Sequence, residues 1–184
     1  METIKCMKTR RSRRKYLKKD IDNKILEEIV DAVRYCPSSL NCQPWEIVIV
    51  KEQEIKNKIF ELKKRFMPEF LIKLGYTNEC VVEAPVLIVV CVDTKKSPSR
   101  WLEEGVFAAN SILLAINNLG LGVVYITAFS TEHEEIAEKF REILKLPKNI
   151  VPIAIIPIGY PNLDEKLEIK KLRDLNKIIH YNNW

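Results

Sequence analysis

The chain has 184 residues, 47% of them apolar and 30% charged, with a formal net charge of +5. That is enough apolar material for one core of ordinary size, and no stretch reads as an interdomain linker, so a single domain over residues 1–184 is expected. The longest apolar runs, near residues 84–92 and 150–158, are too short to span a bilayer, and no apolar leader follows the basic N-terminus. A cytoplasmic protein with no membrane partner and reduced thiols at its five cysteines is therefore expected. The charge is uneven: residues 1–20 carry nine Lys or Arg against Glu2 and Asp20, or +7, and the rest of the chain sums to −2. A local cluster suits an anionic partner at one place better than a nucleic acid followed along a face, although a solvated basic arm is the plainer alternative.

In chain order, Ile21, Ile25, Leu26, Ile29, Val30 and Val33 recur at helical spacing behind Asp20, which stands where an N-cap would, so residues 21–35 are expected to be helical. Pro37-Ser38-Ser39-Leu40-Asn41-Cys42-Gln43-Pro44-Trp45 follows. Its prolines restrict the backbone and push Cys36 and Gln43 away from helix, presenting the polar groups between them as a binding loop. Read alone, the same residues could equally be a helix-to-strand turn with Trp45 in the core. Residues 46–50 read as a strand, residues 52–65 as a helix, and residues 66–80 have no clear period. The nearly unbroken apolar run 85–92 reads as a strand covered on both faces.

After Ser97-Pro98-Ser99, residues 101–119 form a mostly apolar helix in which Gly105, Ala108, Ala109 and Ala115 permit close packing, and Gly120 ends it. Phe107, Ile112, Leu113 and Leu114 read as packing residues of a core or dimer interface. Residues 122–129 read as a strand, 132–144 as a helix and 150–158 as a further strand before Gly159-Tyr160-Pro161. This order predicts a layered α+β domain, helices flanking a central sheet.

Chemically, the guanidinium forks of Arg10, Arg11 and Arg14 with the Ser12 hydroxyl would satisfy a phosphomonoester through charge-assisted bonds. Lys171 and Arg173 form a second basic pair, which read alone is ordinary surface charge. His133 lies among glutamates and His180 near the chain end, neither with a neighbour at metal spacing, so no metal is expected; no nucleophile motif supports hydrolysis. Five glycines and no G-x-G-x-x-G or P-loop exclude a glycine-rich phosphate cradle. Binding groups abound and acids, bases and nucleophiles are scarce, which points to a cofactor that brings its own reactivity. Flavin mononucleotide fits: its phosphate suits the basic cluster, and its ring edge suits Ser38, Ser39, Asn41 and Gln43.

Arg10-Arg11-Ser12-Arg13-Arg14-Lys15-Tyr16 resembles the R-R-S-x-R-x-F/Y opening of the nitroreductase family, and residues 37–45 resemble its P-S-x-x-N-x-Q-P-W signature. Ala84-Pro85, the helix from Gly105 to Asn110, Leu119-Gly120-Leu121-Gly122, Thr127-Ala128-Phe129, Leu146-Pro147 and Ile158-Gly159-Tyr160-Pro161 fall in the order that family shows.

The resemblance implies a largely antiparallel mixed sheet and a homodimer with FMN at the subunit interface. Phosphate would lie on the Arg10 to Arg14 and Lys171/Arg173 segments, and the flavin ring against the partner's loop from Pro37 to Asn41. It also implies backbone contact near flavin N5 from Thr127-Ala128, a wall from Phe129, and ping-pong reduction of a small nitroaromatic, quinone, enone or flavin acceptor by NAD(P)H. The sequence departs from that family in having Thr127 where glycine is frequent and Glu103 where aspartate is. Its short length leaves residues 66–80 as the place for an excursion over the site. The other readings are an FMN storage or sensor protein without turnover, and nucleic-acid binding through the basic arm.

Overall fold

In a computed structural model, residues 2–130, 133, 135–167 and 169–184 are described. Five strands, β1 (Trp45–Val50), β2 (Val86–Asp93), β3 (Gly122–Val123), β4 (Ile126–Thr127) and β5 (Ile150–Gly159), form one sheet in the order β1-β2-β5-β3, with β4 also on β5. Every ladder between these strands is antiparallel, and a parallel bridge from Ser12 to Val123 makes the sheet mixed. β2 is the apolar run expected at the centre: it is buried from Val86 to Val92 because helices cover both faces, so it needs no polar alternation. The stretch expected as one strand over 122–129 is instead two short strands on β5, separated by Val124 and Tyr125.

The helices sort by the face they cover. α1 (Thr3–Thr9), α2 (Asn23–Asp31) and α6 (Trp101–Asn118) lie on one side, where Val86, Ile88 and Val90 meet Leu26, Ile29 and Ile112. The other side holds α3 (Gln53–Arg65), α5 (Cys80–Glu83) and α7 (Glu135–Leu144), where Leu87, Val89 and Cys91 meet Ile59, Val81 and Phe140, while α4 (Glu69–Lys73), between α3 and α5, buries no residue. The start of α7 at Glu132 and Glu134 expected from the sequence lies outside the described residues.

Capping corrects one boundary: Asp22, not Asp20, accepts from the Lys24 N–H at 2.8 Å and starts α2. That helix tightens into a 3-10 turn over Ala32–Tyr35 and stops at Cys36, extended at φ −70°, ψ 146°, as the residue before a proline must be. The basic N-terminus is not simply a solvated arm, since α1 buries Cys6, whose thiol donates to the Leu114 carbonyl at 3.3 Å.

The small residues of α6 have a definite partner. The ladder between β2 and β5 slips between Val90 and Cys91, which pair with Ala154 and Pro152 and leave Ile153 as a bulge. A Cβ on Gly105 would stand 2.6 Å from the Ile153 Cγ1, so the bulged side chain fills the notch that glycine leaves.

Candidate functional site

The basic segment is fixed by its backbone. Arg13 donates its N–H to the Val123 carbonyl at 2.8 Å, Leu17 donates to the Tyr160 carbonyl at 2.9 Å, and Tyr16 bridges to Pro161. Between the pairing spans of β3 and β4, the Tyr16 hydroxyl lies 3.1 Å from the Pro157 carbonyl and 2.8 Å from that of Arg13. Burial drives the phenol upward, so it stays a donor. A Cβ on Gly159 would sit 2.9 Å from both Tyr16 Cβ and Cδ1, so glycine is what lets this ring dock.

Glu165 completes the clamp: its Oε1 accepts the Arg14 N–H at 2.9 Å and its Oε2, fully buried and without a hydrogen bond, stands 3.8 Å from the Arg13 guanidinium. Arg13 is thereby neutralised inside the structure. Arg14 makes no ion pair with a described residue; its guanidinium lies 5.1 Å from the Tyr76 ring centroid and lines a cleft of about 1060 Å³. Such a volume is at the upper end of ligand pockets, about 300–1,000 Å³.

The cleft lies between the end of α3, residues 65–80 and the β3–β4 stretch. Its described lining carries four cationic side chains, Arg14, Lys15, Lys63 and Arg65, against the single carboxylate Glu79. Lys15 is engaged by Glu83 at 3.4 Å. The aromatic wall comes from Phe66, Tyr76, Tyr125 and Phe129; Phe129 is held edge-on to Trp101, centroids 5.0 Å apart. Thr127 also lines the cleft, its hydroxyl 2.7 Å from the Phe129 carbonyl. Ala128 is fully buried and its N–H is committed to the Ile153 carbonyl at 2.9 Å, so it has no N–H to offer a ligand. Cys80, in the same lining, is pushed up to about 11 by burial and is a protonated thiol at neutral pH.

Of the expected site residues, Arg14, Thr127 and Phe129 share this cleft. Arg10, Arg11 and Ser12 lead into it on the same pinned segment, each half-buried. None of Pro37, Ser38, Ser39, Asn41 and Gln43 lines it. Their loop rests on α6, where the buried carboxylate of Glu104 accepts the Ser39 N–H at 2.6 Å and stands 3.7 Å from the Cys42 thiol. Ser38 accepts the Gln43 N–H at 3.1 Å. Leu40, Asn41 and Gln43 all have left-handed φ, at 51°, 55° and 46°, a conformation that costs non-glycine residues about 1 kcal/mol or more each. Lys171 and Arg173 are exposed on the C-terminal segment, Arg173 donating to the Lys177 carbonyl at 3.0 Å, and neither reaches the cleft.

Sequence reasoning missed Glu104 and the residues from Lys63 to Cys80. A carboxylate one position before a helix glycine carries no signal of its own, and residues 66–80 hold only short helices whose role appears once they fold over the cleft.

The profile of the Nitroreductase family matches residues 7–160. A protein of Methanothermobacter thermautotrophicus, to which an NADH dehydrogenase/NAD(P)H nitroreductase activity is ascribed, is 31% identical over 186 residues, covering 100% of this chain and 88% of the relative. The crystal structure of a Parabacteroides distasonis protein ascribed the same activity superposes with a TM-score of 0.84 at 29% identity, covering 99% of this chain and 98% of that one. An FMN-dependent nitroreductase from Clostridium difficile superposes at 0.79 with 28% identity, covering 98% and 99%. With the profile spanning most of the chain and similarity along its whole length, the chain belongs to the nitroreductase family.

Proposed function

We propose that the chain is an FMN-dependent oxidoreductase that reduces a small organic acceptor, whether nitroaromatic, quinone, enone or flavin, with NAD(P)H. The observation that carries this reading is Arg14: a guanidinium on a rigid backbone, without an ion pair among the described residues, at an aromatic-walled cleft. The residues fit the cofactor. Arg10, Arg11, Ser12 and Arg14 would hold its phosphate and Thr127 and Phe129 would face the flavin ring, whereas Lys171 and Arg173, outside the cleft, would reach the phosphate only if the C-terminal segment moved. When bound, FMN supplies the hydride chemistry, taking reducing equivalents from NAD(P)H and passing them to the acceptor. The chain itself binds and orients: the Tyr16 hydroxyl and Glu165 fix the phosphate-binding backbone, and Phe66, Tyr76, Tyr125 and Phe129 give the cleft its aromatic walls.

The second half of the proposed site comes from a partner. Ser38, Ser39, Asn41 and Gln43 are presented away from the cleft of their own chain, and Leu40 at the loop tip is wholly exposed. Leu102, Val106 and Phe107 form an exposed apolar stripe on α6, and Ile169, Leu172 and Trp184 are exposed on the C-terminal segment. Uncovered apolar surface on α6 beside the loop and on the C-terminal segment fits a homodimer that buries it and brings the loop to the other protomer's flavin. Pinning of the Arg segment into the sheet also leaves little of the basic arm to follow a nucleic-acid backbone.

The purified protein should be yellow and should bleach when NADH or NADPH is added anaerobically. A colourless protein that takes up no added FMN would refute the proposal; a yellow one bleached by neither nicotinamide would favour storage or sensing.

A further inference from the structure

Two lysines of α3 are buried, seven residues and so about two turns apart. Lys56 is satisfied, its ammonium donating to the Ala84 carbonyl at 2.8 Å at the end of α5. Lys63 is only 8% exposed and lines the cleft, yet makes no hydrogen bond or ion pair with any described residue. Long cationic side chains normally carry their charge to water, as Lys58, Lys64 and Arg65 do on the same helix. The side chain is buried along its length while the ammonium keeps some exposure at the cleft it lines, where it has no partner among the described residues and burial lowers its pKa below the usual lysine value. An anion in the cleft would supply that partner.

What surrounds Lys63 defines that anion. Phe66, one turn on, packs against His133 with ring centroids 5.4 Å apart, and both line the same cleft as Lys63 together with Ile136. Arg14 is taken by the phosphate in the function proposed above, and no expected flavin contact uses Lys63. We infer that Lys63 determines acceptor specificity: its ammonium binds the carboxylate of a small aromatic acceptor in the cleft. The inference rests on the flavoprotein reading for the acceptor's role, but the binding of the anion can be read without it.

The test is calorimetric titration of the protein as purified with para-nitrobenzoate and with its neutral analogue para-nitrobenzamide. A hydrogen bond to a charged group predicts that the wild type binds the benzoate about tenfold or more tightly than the amide. Lys63→Met should bring that ratio close to one, Lys63→Arg should retain a preference, and FMN affinity should be the same in all three proteins. Equal binding of the two ligands by the wild type overturns the inference, and so does a preference that survives Lys63→Met. A fall in FMN affinity in Lys63→Met also overturns it, because the lysine would then serve the cofactor; so would a rise in KM confined to NADPH. If the methionine variant fails to fold, Lys63→Gln takes its place, since Arg14, Lys15 and Arg65 also line the cleft and a preference that survives loss of the lysine overturns the inference. A colourless protein counts against the flavoprotein reading separately, since the calorimetric ratio needs no flavin.

Discussion

The segment over residues 10–16 and the loop over residues 37–45 were both expected at one site, and the structure holds them in different ways. The Arg segment is threaded along the sheet by backbone bonds to Val123 and Tyr160 and by the Glu165 carboxylate, and it delivers Arg14 to the cleft. The tip of the loop is held from below by the buried Glu104 carboxylate, in left-handed backbone conformations, and its end by Pro44 and Trp45 at the sheet. In the proposed function the first is one half-site, contributed by its own protomer. The second is a strained surface prepared for something else to meet it, which is the physical content of the proposed dimer.

This contrast can be broken from either end. The largest effect is expected from Arg14→Ala, which removes a charge-assisted bond of about 1.5–3 kcal/mol and so should weaken FMN binding about 10- to 100-fold by fluorescence titration, with little change in melting temperature. Unaltered affinity would place the phosphate elsewhere. Glu104→Ala should act on the loop instead, leaving the Ser39 N–H without its charged acceptor and costing roughly 1.5–3 kcal/mol in chemical denaturation, with Glu104→Gln costing less. If Glu104→Ala melts like the wild type, the loop has another anchor.

A smaller loss, about 1 kcal/mol, is expected for Gly105→Ala, because the new Cβ meets the tip of a side chain, Ile153, which can partly shift. It tests the helix bed beneath the loop without touching polar groups. The smallest effect is an absence of reaction. Cys80 and Cys91 are pushed up by burial to about 11 and about 12, so at pH 8 only roughly one part in a thousand of Cys80 is thiolate. Native protein should therefore alkylate first at half-buried Cys42, and modification of Cys80 should become measurable only as the pH rises toward 11 or the chain unfolds. Rapid native labelling of Cys80 at pH 8 would show that the cleft wall opens.

Most of the architecture was legible because burial writes itself into the sequence. The run 85–92 reads as a strand enclosed on both faces, and the spacing of Leu26, Ile29 and Val33 gives the face of α2. Cap choice was less legible: Asp20 and Asp22 are equivalent by type, and only the hydrogen bond to Lys24 separates them. At the site, the arginines and the loop were visible as motifs. Which arginine is available was not, since Glu165 captures Arg13 across some 150 residues of chain and no local pattern records that pairing. Residues 66–80 were opaque for a different reason: Phe66, Tyr76 and Cys80 act as a cleft wall, and a wall built of short turns has no period to read.

The most direct test of the central claim is subunit mixing. Arg14→Ala spoils the cleft half-site, and Asn41→Ala spoils the loop half-site. If the site is shared between protomers, a heterodimer of the two variants has one site with both defects and one with neither. Mixing should then restore tight FMN binding to one flavin per dimer in the heterodimer fraction. No recovery in a mixture shown to contain heterodimer would mean that each site is built by a single chain, and the account of the loop would be wrong.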